Sequence, residues 1–390
     1  MRDKRSDKDE RIRVLAIDHT VGVAPFRKKF EAIASHGDID LTVLAPAVWK
    51  ENYRAIVPPA IGRGYAIRTG SVVFPGYNNR AFFATGLASA IRSVRPHIID
   101  LYEEAFSLFL LQTSVLAGIL APEAKIIFHS SDSLSFDDRY PYRPSRMYAA
   151  IQRRTHRVAS YAFTINEIAG ELLRSKGYIG PITRVFHGVD EEEFRPMDAS
   201  ELRSELRLRG PVVGCVGRLT YKKGVDVLIR AVAALQDPPE LVIIGDGEEK
   251  PRLEALAVDT GIGETTRFVT GVTHEQIPAY LNALDVMVLP SIRSEKFNEP
   301  FGRVLVEAMA CGVPVIGTTC GSMALVLGDA GLIVQDNDVD ALNDQLRSLL
   351  SDRALMDELS SRGRQRVLDL YTWPRFASLI HQGYLDALKD

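Results

Sequence analysis

Cysteine is scarce: Cys215, Cys311 and Cys320 are the three present among 390 residues. No metal-ligand spacing joins the first to the others, and Cys215 and Cys311 fall inside apolar segments, which predicts a reducing, cytoplasmic setting. Net charge is nearly absent too. Forty-seven basic against fifty acidic residues leave −3, which is no global field for a polyanion, and no nucleic-acid motif is found, so no nucleic-acid partner is expected. A membrane-spanning run is missing: FSLFLLQTSVLAGILA (106–121) carries Gln112, Thr113 and Ser114 and falls short of ~20 apolar residues, so it reads as a buried helix. The opening MRDKRSDKDERIR lacks the apolar core and cleavage site of a signal peptide, and export is not expected. Neither GxSxG, HExxH nor CxxC occurs, which leaves serine hydrolysis, zinc proteolysis and dithiol chemistry without support.

What is present is an ordinary globular composition, 46% apolar and 25% charged, in a chain long enough for two domains. Short β-branched runs, each followed by a turn and a stretch of helical period, recur as IRVLAI (12–17), LTVLA (41–45), HIIDLY (97–102), KIIFH (125–129) and YAFTI (161–165). The alternation restarts with PVVGCVG (211–217), ELVIIG (240–245), TRFVTG (266–271), DVMVLP (285–290), VPVIGT (313–318) and GLIVQ (331–335). This pattern predicts an α/β chain of two doubly wound, Rossmann-like domains facing across a cleft, 1–190 and 191–370, with 371–390 as a further segment. Such sheets bind ligands beyond the carboxyl ends of their strands, so candidate sites are loops after strands.

Two of those loops stand out. GRLTYKKG (217–224) leaves a strand and enters a helix; Arg218 and Lys223 there would add fixed charges to the free N–H groups of a helix start, suiting a diphosphate. Solvated lysines at such a turn are the ordinary alternative. NEPFGRVLVEAMACGVPVIGT (298–318) places Glu299 before a helix and Glu307 inside it, two carboxylates able to grip hydroxyls at separate points of one ligand. Alternatively Glu299 resembles a cap and Glu307 is an i,i+4 partner of Arg303, worth ~0.3 to 0.5 kcal/mol. Spacing alone leaves both open.

GRLTYKKG followed by EPFGRVLVEAMACGVPVI resembles the retaining family 4 glycosyltransferases of the GT-B fold. The likeness extends through HGVDEEEF (187–194), GDG (245–247), RFVTGVT (267–273) and DAGLIV (329–334). It implies a nucleotide-sugar donor (a UDP- or GDP-hexose) whose diphosphate is neutralised by Arg218 and Lys223. Glu299 would hold the donor sugar's hydroxyls and Glu307 the ribose. Gly217, Gly247, Gly271, Pro300, Phe301 and Gly302 would line the donor, and His129, opening the polar loop HSSDSLSFDD, would touch its sugar. The N-terminal half, expected to bind the acceptor, is the weaker match. The usual Gly-Gly loop is replaced by DHTVGVAPFRKK (18–29), where Gly22 allows a backbone approach and His19 or Arg27 could contact substrate. His187 and Leu325 also depart from the family pattern.

The resemblance implies hexosyl transfer with retention to a glycan or lipid-linked acceptor, in polysaccharide or glycolipid synthesis, without a cofactor or obligatory metal. DNDVD (336–340) fails as a calcium loop and reads as a helix cap, and DID (38–40) leads into a strand. The helix at 146–160, with Arg146, Arg153, Arg154 and Arg157 among apolar residues, suits either an anionic membrane face or core packing with a solvated basic side. The segment 371–388 has Trp373, Phe376, Leu379, Ile380, Tyr384 and Leu388 near one stripe and, by the same resemblance, returns to the N-terminal domain. A nucleotide-sugar epimerase of this fold and a non-catalytic sugar-binding protein are the competing functions. An epimerase would consume the donor without an acceptor; a mere binder has no need of paired diphosphate cations.

Overall fold

The computed structural model describes residues 11–51, 54–132, 145–295 and 297–389. The charged leader at 1–10 and the loop beyond Asp132 therefore lie outside the described residues. The chain divides into two compact units, Met1–Gly188 with Trp373–Asp390, and Val189–Thr372. No helix among the described residues is long and apolar enough to cross a membrane.

The first unit is built on a seven-stranded parallel sheet: β1 (Ile12–Ile17), β2 (Ile39–Pro46), β3 (Ala66–Gly70), β4 (Ile98–Leu101), β5 (Lys125–Ser130), β6 (Ala159–Thr164) and β7 (Ile182–Arg184). Their order is β7-β6-β5-β4-β1-β2-β3. The central strands are apolar on both faces because helices cover both: Val14 to Ile17 and Ile98 to Leu101 are fully buried or nearly so. Edge strands β3 and β7 escape the sequence pattern because they are short and largely exposed or half-buried.

The second unit carries β8 (Val212–Val216), β9 (Glu240–Ile244), β10 (Thr266–Val269), β11 (Val286–Leu289), β12 (Val315–Thr318) and β13 (Leu332–Val334). They form a parallel sheet in the order β10-β9-β8-β11-β12-β13. Both sheets are doubly wound and Rossmann-like: each reverses direction once, beside its first strand, between β1 and β4 and between β8 and β11. These switch points are where such sheets open a crevice for a ligand.

Helix Trp373–Lys389 belongs to the first unit, where Trp373, Phe376, Ala377, Ile380, Tyr384 and Ala387 share a core with Val14, Phe30, Ile33, Ile127 and Phe163. His381 Nε2 also meets Asp38 at 2.8 Å. The apolar run at 106–121 forms helix Leu108–Leu120 with a Ser107 cap. It is not wholly buried as its composition suggests, since Val115 is 42% and Ile119 71% exposed. The basic segment forms helix Ser145–Val158. Its Tyr148 and Ile151 pack with Phe106, while Arg146, Arg153, Arg154 and Arg157 are exposed. Asp338 caps helix Val339–Ser351 by accepting from the N–H of Ala341 at 2.9 Å, as the DNDVD reading expects.

Candidate active site

In the second unit the loop after β8 and the loop after β11 flank the switch point and bring two of the expected residues together. Lys223 Nζ donates to Glu299 Oε2 at 2.6 Å, although they are 76 positions apart. The hydroxyl of Ser291, fully buried, donates to the same oxygen at 3.1 Å. Both bonds end on Oε2, and Oε1 takes neither. Glu299 is 7% exposed, so the carboxylate is held in place by an ammonium and a hydroxyl. It is not a cap: the helix that follows begins at Arg303 with Gly302 as N-cap.

Backbone geometry enforces the meeting. Gly224, in the left-handed region at φ 62°, ends the one-turn helix Tyr221–Lys223 and opens helix Val225–Ala233. A Cβ there would sit 2.1 Å from the carbonyl oxygen of Pro290, so only glycine lets the two loops touch. Arg218 is exposed beside this loop. Glu307, buried, accepts from Arg303 Nε at 2.8 Å, the i,i+4 pair foreseen as its ordinary role.

The remaining second-unit candidates are placed less uniformly. Gly217 follows β8 and bonds the carbonyl of Ile244 at 2.9 Å. Gly247 lies against the Leu219 carbonyl, and Gly271 is exposed after β10. Pro300 leads into Phe301, whose side chain is 3% exposed and set edge-on to Tyr371 at 5.7 Å. The Phe301 ring therefore packs into the core rather than facing a ligand.

In the first unit a cavity of about 300 Å³ opens at the carboxyl ends of β1, β4, β5 and β6. His129 lines it, stacked on Tyr102 with centroids 4.0 Å apart and Nε2 3.0 Å from Asp100. A carboxylate only accepts, so Nε2 carries a proton. Asp100 is fully buried and takes a second bond at 2.6 Å from the Tyr384 hydroxyl on the terminal helix. The imidazole is thus oriented from two elements. His19 lines the cavity too, but Gly22 and Arg27 do not. A Cβ at Gly22 would instead meet Ile56, 2.3 Å away.

Four charged residues that sequence reasoning did not single out stand here: Asp18, Lys29, Glu103 and Glu104. Three of them lie within three residues of a strand end, a position legible in the sequence; Lys29 comes from the helix Ala24–Ala34. Lys29 is 5% exposed and bound to Asp18. Burial opposes ionisation of Asp18, but the Lys29 ammonium and then His19 outweigh it and hold its carboxyl below the usual range. His19 Nδ1 meets Glu103 at 2.8 Å. Burial disfavours the imidazolium, yet that carboxylate outweighs it and raises the His19 pKa.

Glu104 accepts from the Ser130 hydroxyl at 2.7 Å and from the Ser131 N–H at 2.7 Å. Burial, with the charge of Asp132, pushes its carboxyl up to about 7, against the pull of these donors. Between its ordinary 4.5 and about 7 the folded protein keeps a proton that the unfolded chain releases. Glu104 therefore lowers stability as pH rises through that window. Glu104→Gln is expected to raise the melting temperature by roughly 2 to 6 °C at pH 8, with the gain shrinking toward pH 5. A gain independent of pH in thermal melts would contradict the shift.

Among the described residues, the group of three donors close enough to hold a metal is His36, Asp38 and His381, with ligand atoms within 4.8 Å of one another. None of them lines the cavity or belongs to the loops around Lys223. The three thiols are free and buried, and burial pushes Cys215 and Cys311 up to about 12 and Cys320 to about 11.

Residues 198–366 match the family described as glycosyl transferases group 1. A GDP-mannose-dependent alpha-(1-6)-phosphatidylinositol monomannoside mannosyltransferase of Mycolicibacterium smegmatis is 35% identical over 209 residues, covering 50% of this chain and 54% of that protein. A D-inositol 3-phosphate glycosyltransferase of Salinispora arenicola is 33% identical over 223 residues, covering 52% and 48%. The chain thus spans about half the length of the curated relatives it matches. The crystal structure of Anabaena HepE in complex with UDP superposes with a TM-score of 0.74 at 18% identity, over 96% of this chain and all of that one. At that identity the likeness is one of fold, the two-Rossmann-domain fold called GT-B.

Proposed function

We infer that this chain, whose residues 198–366 match the glycosyl transferases group 1, is a retaining glycosyltransferase that moves a hexose from a UDP- or GDP-sugar to a glycan or lipid-linked acceptor. The observation that carries the reading is the Lys223–Glu299 pair at the switch point of the second sheet. An ammonium and a carboxylate side by side serve two parts of one donor. Lys223, with Arg218, takes the diphosphate; Glu299 takes the sugar hydroxyls; Glu307 takes the ribose.

Cleavage of the bond between the anomeric carbon and the phosphate oxygen builds negative charge on the diphosphate and positive charge on the sugar. Cations and helix N–H groups already in place stabilise that charge most where it grows. Arg218, Lys223 and the helix starts at Val225 and Arg303 supply them, and same-face attack by the acceptor with the departing phosphate as base retains configuration. The experiment is a donor screen by product-nucleotide release, with GDP-mannose and UDP-glucose side by side and acceptor added or withheld. Acceptor-dependent release supports transfer, whereas conversion of the donor to its epimer without acceptor would replace this reading.

Because side chains neutralise the diphosphate, transfer needs no divalent ion: activity is expected to be unchanged in EDTA. Loss restored by magnesium or manganese would contradict it. The exposed Arg146, Arg153, Arg154 and Arg157 also suit an acceptor held at an anionic bilayer. Wild type should co-sediment with vesicles containing phosphatidylglycerol and an Arg153→Glu/Arg157→Glu variant should not; equal sedimentation of both removes the membrane role.

A further inference from the structure

We propose that the cavity of the first domain receives an uncharged, hydroxyl-rich sugar unit of the acceptor, and that Glu104 excludes a phosphorylated one. The inference rests on the transferase reading for its biological use, but it is argued from the cavity alone.

The size suits a single monosaccharide: about 300 Å³ at the carboxyl ends of four strands leaves no room for a lipid chain. The lining has the two ingredients a pyranose asks for. Apolar lining comes from Phe26, Phe163 and Phe376, and polar lining from Asn78, Ser131 and Glu104.

The balance of charge decides between a neutral sugar and its phosphate. The lining's one ammonium, Lys29, is bound to Asp18 and lies 4.0 Å from the centre of the Tyr102 ring. Two of its three imidazoles likewise face carboxylates, His19 with Glu103 and His129 with Asp100. Each of those groups is matched within the protein before a ligand arrives. Glu104 differs: its bonds come from the Ser130 hydroxyl and from the N–H and hydroxyl of Ser131, all neutral donors. Once Glu104 is ionised, above about pH 7, a phosphate entering here would meet a carboxylate whose bonds come from neutral donors alone. A sugar hydroxyl meets the opposite situation, because a carboxylate acceptor held by serines is what an O–H donor seeks. Specificity of this kind comes as much from the repulsive group as from the attractive ones.

The test compares methyl α-mannoside with mannose 6-phosphate as probes at pH 8, where Glu104 is ionised, by saturation-transfer NMR on the full chain, with GDP or UDP present. Wild type is expected to favour the neutral probe at least tenfold. Glu104→Lys should reverse the preference, and Glu104→Gln, which keeps the serine bonds, should narrow it. If Glu104→Lys fails to fold, the Gln variant decides. Equal or better binding of the phosphate by wild type, binding of neither probe, or a ratio unmoved by the substitutions overturns the proposal. Failure here with acceptor-dependent nucleotide release intact leaves the transferase reading standing; selective sugar binding without any donor turnover would sink that reading and leave this one.

Discussion

Arg218→Ala is expected to lower turnover ~100- to 1,000-fold, since removing one preorganised donor to a developing anion costs ~2.7 to 4 kcal/mol. Arg218 is exposed, so the variant should melt like wild type. Lys223→Ala should lose as much activity, but its consequence for the fold differs. Lys223 is the cation on a carboxylate that is 7% exposed. Removing it leaves Glu299 with the Ser291 hydroxyl alone, and an unpaired buried charge destabilises by up to ~3 kcal/mol. A side chain at a loop mouth would carry no such cost; the pairing with Glu299 is why Lys223 does. The Lys223→Ala/Glu299→Gln double variant should recover the stability and not the activity. Steady-state rates corrected for folded fraction check this, and wild-type turnover in Arg218→Ala or Lys223→Ala would remove the diphosphate assignment.

Truncation after Leu370 is expected to unfold the first domain and abolish activity. The deleted helix supplies Trp373, Phe376, Ile380 and Tyr384 to the core beside β1, β5 and β6. Each buried aromatic or aliphatic side chain lost from a core costs ~2 to 5 kcal/mol, so four together exceed the whole stability of an ordinary domain. The loss also strips Asp100 of the Tyr384 hydroxyl and so frees the His129 ring. Ile380→Ala, a single cavity in the same core, should lower stability by ~2 to 5 kcal/mol without touching that bond. A truncated chain with one unaltered melting transition and full activity would contradict the role given to this helix.

The buried strands were legible because a parallel sheet covered on both faces demands continuous β-branched runs, and all six strands of the second sheet lie within such runs. The edge strands Ala66–Gly70 and Ile182–Arg184 were not, since half-exposed strands carry no such run. At the site, GRLTYKKG and EPFGRVLVE were visible as loops after strands, but their meeting was not. Lys223 and Glu299 touch through the close approach of Gly224 to Pro290, a contact between distant segments that no spacing encodes. The apolar stripe of the terminal helix was readable; periodicity is silent about which surface a stripe covers. Glu103 and Glu104 followed a recognised strand unnoticed, because adjacent glutamates look like solvent-facing charge until burial shows otherwise. Only Glu103 is deeply buried, at 5% exposure.

The central claim, that Arg218 and Lys223 bind the diphosphate of a nucleotide donor, is tested most directly by calorimetric titration with nucleoside mono- and diphosphates. Wild type should bind GDP or UDP at least tenfold more tightly than the matching monophosphate, and Arg218→Ala should erase that preference while retaining monophosphate affinity. Equal affinity of wild type for mono- and diphosphate, or a preference untouched by Arg218→Ala, would contradict it.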